Sequence, residues 1–438
     1  MHILKRAHST VKVNNLFFKK FCFLVKRYFA YVDKKGIDMK GYSGYSLPHI
    51  MLESEIFLEF KEHFYRGANV RDLCKDVTFD HVILLLLQKG LPSAKELIQK
   101  NLYIQNELKT FNEKNILQMS RILQISHPLE LIRISLLQFA QHEKDNNDSI
   151  SSYLKILAAS IKMLPYFHGS QCFSPHTPQK EYTDLSSFII ENYTIKGFQT
   201  EFSGKTYEPN EIIQKEEDGK EREKRTILWK KEKIKLLNTF LILMCEHGIN
   251  ENTFFVRMLS TVHGYNYFNI CLSAVTFYID IFRNIDLYHS MRGFLQFNVE
   301  HTPSDTSCSS YEKTKKSMEM IPSVNFFFHK SNCYRKKNTI FKEYLTDYCK
   351  NTCQENVDLL THFKQIETFF LKNKNKYPSC YYYTLLTFHL INLPLQILPP
   401  LYFLIRLLSF TAHINEQVGN NKFVKYSGVY IGNPPKLA

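Results

Sequence analysis

FDHVILLLLQKGLPSAKELIQKNL, running from Phe79 to Leu102, decides the fold class. It reads as an apolar helix, a turn at Gly90, Leu91 and Pro92, and a second helix that starts after Ser93. Glu96 stands three residues beyond Ser93, the spacing at which a hydroxyl and a carboxylate satisfy each other's backbone amides at a helix start. The same grammar recurs along the chain. SHPLELIRISLLQFAQHEK (Ser126 to Lys144) opens on a polar residue, and SISSYLKILAASIKMLPYFH (Ser149 to His168) and LLNTFLILMCEHGINENTFFVRMLSTV (Leu236 to Val262) follow. Each then carries apolar residues at helical spacing. Alternating strands are few and no short-period repeat is present, so the sequence predicts an all-α fold.

The totals narrow the function classes. A chain of 438 residues can bury a large core, as one big domain or a large and a small one. Only 15 residues are glycine, about half the usual share, and neither a dinucleotide fingerprint nor a P-loop is present. A formal charge of +14 suits nucleic acid, a membrane surface or an anionic substrate without choosing among them. The ten cysteines are scattered, and Cys349 with Cys353 is the one close pair. A four-ligand zinc site needs a second pair, so reduced thiols in a non-secreted protein are expected.

Three stretches set the organisation. MHILKRAHSTVKVNNLFFKKFCFLVKRYFAYVDKK holds no acid before Asp33 and spaces cations between apolar residues, like an organellar presequence. NEIIQKEEDGKEREKRTILWKKEKIK (Asn210 to Lys235) reads as a solvated loop or exposed helix end, and the Ser/Thr-rich EHTPSDTSCSSYEKTKKSM (Glu300 to Met318) as a flexible loop. The most apolar segment, Tyr381 to Phe410, is broken by Pro394, Pro399 and Pro400 and carries Arg406. Two buried helices with a turn between them are expected there, not a membrane span, which needs about 20 uninterrupted apolar residues.

From FYRGANVRDLCKDVTFDHVILLLLQKGLPSAKEL onward the chain resembles the citrate synthase family. The resemblance rests on Tyr65, Arg66, Gly67, Leu85, Gly90, Leu91, Pro92, Glu96 and Leu97, and on HPLELIR from His127. It continues in LILMCEHGINENTFFVR (Leu241 to Arg257) and PLYFLIRLLSFTAHINEQ (Pro400 to Gln417), and ends at Tyr430 and Gly432. What it implies is a two-domain helical homodimer that condenses oxaloacetate and acetyl-CoA to citrate and CoA in an interdomain cleft. Acetyl-CoA enters there as a substrate, and no cofactor or metal is implied. The implied division is a presequence-like arm over 1–40, a large domain over 41–280 with 381–438, and a small domain over 281–380. The basic arm and the family together imply the mitochondrial matrix.

That reaction removes a very weakly acidic methyl proton. It needs a carboxylate as base and neutral donors for the enolate and ketone oxygens. The family uses one aspartate and two histidines, with arginines gripping the dicarboxylate through their bidentate fork. By resemblance the grip falls to His247, Arg335, Arg406 and Lys425, the last a lysine where the family has arginine. The catalytic positions align with Arg283, Phe326 and Tyr381, and no catalytic group is retained at them. Phe326 belongs to IPSVNFFFHKSNCYR, where Ser323 and Asn325 replace the glycines that help seat CoA in the family. His289 and His329 lie a few residues downstream as possible substitutes after loop slippage.

The expectation is therefore a citrate-synthase-like protein that is catalytically degenerate and acts as a binding or regulatory subunit. The alternative is an active acyl-CoA condensing transferase with rebuilt catalytic residues. Base stacking on the FFF and YYY triplets would suit single-stranded nucleic acid. They occupy family-core positions, so no nucleic-acid partner is expected.

Overall fold

The computed structural model describes residues 52–125, 127–142, 148–164, 166, 181–193, 219–262, 266–284, 291–296 and 324–420. The presequence-like arm, the Ser/Thr-rich loop, His289 and Lys425 lie outside them. Residues Ser54–Ala438 form one compact unit.

Three short antiparallel strands, β1 (Phe57–Glu59), β2 (His63–Tyr65) and β3 (Ala68–Asn69), open the described chain. They pair in the order β1-β2-β3. Helices follow: α1 (Val70–Asp76), α2 (Phe79–Gln88), α3 (Ala94–Thr110), α4 (Lys114–Ile122), α5 (Pro128–His142), α6 (Ser149–Met163) and α7 (Leu185–Tyr193). Then come α8 (Gly219–Cys245), α9 (Glu251–Ser260), α10 (Tyr267–Asn284), a helical stretch over 291–296, and the single turn α11 (Val324–Phe327). The chain continues through β4 (Phe328–His329), α12 (Arg335–Lys350), α13 (Gln354–Lys374), β5 (Tyr377–Pro378), α14 (Cys380–Leu390) and α15 (Leu398–Asn420).

The helix signals in the sequence are realised atom by atom. The Ser93 amide donates to Glu96 Oε2 at 2.7 Å, and the Glu96 amide donates back to Ser93 Oγ at 3.4 Å. Helix α2 ends at Lys89, whose φ of 67° reverses the chain just before Gly90. Pro399 and Pro400 fall in the first turn of α15, where a missing amide leaves no broken bond. The break in the apolar segment therefore sits at Ile391 to Pro394, ahead of that pair. Leu395–Asn420 is long and apolar enough to cross a membrane, yet its whole apolar window is buried inside the protein. It is the central core helix, packed by α8, α9, α6 and α2. The charged stretch before Lys235 is helical from Gly219 onward, as the solvated start of α8, and 210–218 lie outside the described residues.

One buried ion pair ties the first helices together. Lys100 of α3 bonds the Asp80 carboxylate of α2, and both side chains are 2% exposed. The same carboxylate accepts the Tyr182 hydroxyl at 2.7 Å and the Leu185 amide that starts α7 at 2.8 Å. Asp80→Ala leaves a buried ammonium and two donors without their acceptor. It is expected to cost about 3–5 kcal/mol, read as a fall in denaturant midpoint with unchanged slope.

Candidate functional site

The site grows from the C-terminal end of α8. Tyr65 donates its hydroxyl to the Ile242 carbonyl at 2.9 Å, fastening β2 beneath that end. Arg66 and Gly67 both take positive φ, 47° and 83°, and the Arg66 fork closes on the Leu86 carbonyl at 3.0 and 3.1 Å. The Tyr-Arg-Gly stretch is thus a clamp on α2 and α8. Beyond Cys245 the chain turns through Glu246, His247 and Gly248. Gly248 has φ of 75°, and a Cβ there would meet the Phe57 ring at 3.0 Å. Asn250 then caps α9 by accepting the Thr253 amide at 3.0 Å.

Glu246 is the buried acid of this turn. Its carboxylate accepts the Ser409 hydroxyl and the Gly248 amide, and lies 3.4 Å from His413 Nε2. Burial raises its pKa, but His413, Arg406 and the Ser409 bond overcome that and hold it at about 2. Behind it Arg257 bonds Gln417 Oε1 and Glu416 Oε2, each at 2.9 Å. Glu246, next to His247 in the chain, and His413 are thus both engaged in a network that joins the end of α8 to α15.

His247 faces the other way. Its Nε2 lies 3.5 Å from the Tyr402 hydroxyl, and Tyr334 meets its ring edge-on with centroids 5.5 Å apart. Its Nδ1 lies 2.7 Å from the Lys337 ammonium, which also donates to the Glu246 carbonyl. Burial, with Lys337 and Arg406 adding to it, pulls the His247 pKa well below the ordinary imidazole value, so the ring is neutral. Arg406 sends Nη1 to the Cys245 carbonyl at 2.9 Å and Nη2 towards Thr253 Oγ1 at 3.5 Å. Its Nε is buried with no hydrogen-bond partner among the described residues.

A wall of aromatic rings adjoins these groups. The pair β4–β5 sets Phe328 opposite Pro378 and His329 opposite Tyr377, and the Ser379 amide donates to the Phe327 carbonyl at 2.7 Å. That register brings Phe326, just before β4, against Tyr381, at the start of α14. Their rings stack with centroids 4.7 Å apart and planes 29° from parallel. Tyr381 also packs on Tyr402 at 5.4 Å, and Tyr402 on Tyr278 at 6.1 Å. Burial drives the Tyr381 pKa well above 10, removing any role as a base near neutrality.

Of the residues singled out in the sequence, His247 and Arg406 sit in one buried neighbourhood, and Phe326 and Tyr381 meet beside it through Tyr402. Arg335 opens α12 on the exposed side, and the cation that reaches His247 is Lys337, two positions on. Arg283 is the penultimate residue of α10. His329 is exposed in β4. The sequence reading gave no site role to Lys337, Tyr334 or Tyr402, although Tyr334 precedes Arg335 and Tyr402 lies within the segment Pro400 to Gln417.

Known proteins share this arrangement of helices. The citrate synthase of Thermoplasma acidophilum, solved as a ternary complex with carboxymethyl coenzyme A and oxaloacetate, superposes with a TM-score of 0.61. It is 14% identical, and the match covers 89% of this chain and 96% of that one. Citrate synthase from Thermotoga maritima gives a TM-score of 0.60 at 17% identity, covering 92% and 98%. In sequence, citrate synthase of Corynebacterium glutamicum is 22% identical over 385 residues, 84% of this chain and 80% of its own length. The 2-methylcitrate synthase of Shewanella oneidensis is 21% identical over 423 residues, covering 92% and 97%. The family model described as citrate synthase, C-terminal domain, matches residues 49–427. The chain belongs to the citrate synthase family.

Proposed function

We propose that this member of the family binds a small dicarboxylate without condensing it, as a homodimeric binding or regulatory subunit of mitochondrial type. The observation that carries the reading is the stacked pair of Phe326 and Tyr381, aromatic rings at two aligned catalytic positions. Enolisation of a thioester needs a carboxylate base beside a neutral donor. Tyr381 cannot supply the base, and the carboxylate of Glu246 is already held by Ser409 and Gly248. His247 and Arg406 retain groups suited to an anion. Oxaloacetate, bound by the Thermoplasma enzyme, is the ligand carried over to this chain. Coenzyme A is not carried over, because Ser323 and Asn325 stand where backbone must approach it closely. The acid-free basic arm supports import into mitochondria.

The test uses purified full-length chain with oxaloacetate and acetyl-CoA, following release of the free CoA thiol. The expected result is no release above buffer, with oxaloacetate binding seen by titration calorimetry. Citrate formation that is lost in Arg406→Met would overturn the proposal.

A further inference from the structure

The conspicuous group at this site is a lysine that no family motif assigns. Lys337 lies on the inward side of the first turn of α12 and is 2% exposed, so its ammonium has left water. The rings of Phe57 and Tyr65 lie within 5.7 and 5.9 Å of its nitrogen. Its polar contacts are the Glu246 carbonyl and His247 Nδ1, a sparse shell for a buried cation with three protons to share. Arg406, fully buried near the same histidine, keeps an unpartnered Nε. Two buried cations flank one neutral imidazole, and the one carboxylate near them among the described residues, that of Glu246, is hydrogen-bonded to Ser409 and the Gly248 amide and to neither cation. Such an arrangement is costly unless an anion completes it.

We propose that Lys337, and not Arg335, is the second cation of a dicarboxylate site whose first cation is Arg406 and whose central donor is His247. The inference rests on the proposed function and adds which residue holds the ligand. A small dianion with carboxylates on adjacent or next-adjacent carbons is the ligand class. One carboxylate meets Arg406 and the other replaces His247 as the partner of Lys337. Lysine meets a carboxylate as a point charge, so the site tolerates variation in the middle of the ligand more than an arginine fork does.

The choice of lysine carries a pH signature that arginine would not. Burial pulls the Lys337 pKa from 10.5 to about 8, against the opposing pull of Cys245 and Glu246. The charged or titratable groups around it include Cys245, Glu246 and His247 of the α8 end, Arg406 of α15, Cys380 of α14, Cys74 of α1, and His63 and Tyr65 of β2. Burial raises the Cys74 thiol, and burial raises the Tyr65 hydroxyl well above 10. His63 is held neutral at about 4, mainly by burial, and burial raises the Cys245 and Cys380 thiols to about 12. Only Lys337 in this set changes charge between pH 7 and 9. A dicarboxylate needs its protonated form, so affinity is full below about 8 and falls as pH rises through that value, up to about tenfold per unit.

Titration calorimetry of full-length chain with oxaloacetate, at pH 7, 8 and 9, tests this. Lys337→Met is expected to weaken binding about ten- to a hundredfold at pH 7, while Arg335→Met stays within about twofold. Lys337→Arg is expected to keep binding and lose the alkaline fall. Wild type and Lys337→Met converge as the pH rises, which a merely structural role for the lysine would not produce. Loss of binding in Arg335→Met with Lys337→Met unaffected overturns the assignment. Lys337→Met tracking below wild type by the same factor at every pH overturns it too. Wild type binding no oxaloacetate at any pH overturns the anion site altogether, which separates that failure from this one.

Discussion

A Glu246→Ala chain is expected to unfold with about 4 kcal/mol less free energy than the parent at pH 7, the loss typical of breaking a buried charge pair. The carboxylate is fully buried, accepts from Ser409 on α15 and from the Gly248 amide, and lies 3.4 Å from His413 Nε2. Its removal leaves His413 and Arg406 in a dry interior without the nearby negative charge. The effect also carries a pH window. The folded pKa of about 2 is depressed from the ordinary glutamate value of 4.5, so the stabilisation is present above 4.5 and lost as pH falls towards 2. By linkage the difference corresponds to about 3 kcal/mol at neutrality. Denaturant titrations at pH 7 and pH 3 check this: the gap between parent and Glu246→Ala should narrow by about 2 kcal/mol at the lower pH. A variant within 1 kcal/mol of the parent at pH 7 would show that the network is ornamental.

How far such features were legible in advance depends on their range in sequence. Ser93 with Glu96, and the leucine run of α2, are local signals, and the structure realises them directly. Pro394 marks a real helix break, whereas Pro399 and Pro400 do not, because proline is harmless in a first turn and composition alone does not say which turn it occupies. The strands escaped notice since two or three residues have no period to read. Yet β4–β5 is what joins Phe326 to Tyr381 across 55 positions of chain, and only pairing reveals it. His247 and Arg406 were found through motifs. Lys337 was not, because alignment pins Arg335, and a helix starting there turns the residue two positions on by about 200°. The inward direction belongs to Lys337 for that reason.

Opening the aromatic wall separates two accounts of the proposed inactivity, a blocked site and a missing base. Phe326→Ala and Tyr381→Ala are each expected to cost about 3 kcal/mol, as truncations of large rings packed against the core. Because the two rings stack on each other, the double variant should cost about 1 kcal/mol less than the sum of the singles. Among the described residues, the enlarged space would then be lined by Tyr402 and Tyr278, with His247 beyond, and these contacts bring no carboxylate to it. Full-length double variant, assayed at a temperature where circular dichroism shows it folded, is therefore expected to release no CoA thiol from acetyl-CoA with oxaloacetate. If citrate appears once the rings are trimmed, the obstruction alone was silencing a competent site, and the base must be sought among Glu246 and its neighbours. If it stays absent while oxaloacetate still binds, removing the rings has not supplied what is lacking, and the deficit lies in the absent carboxylate.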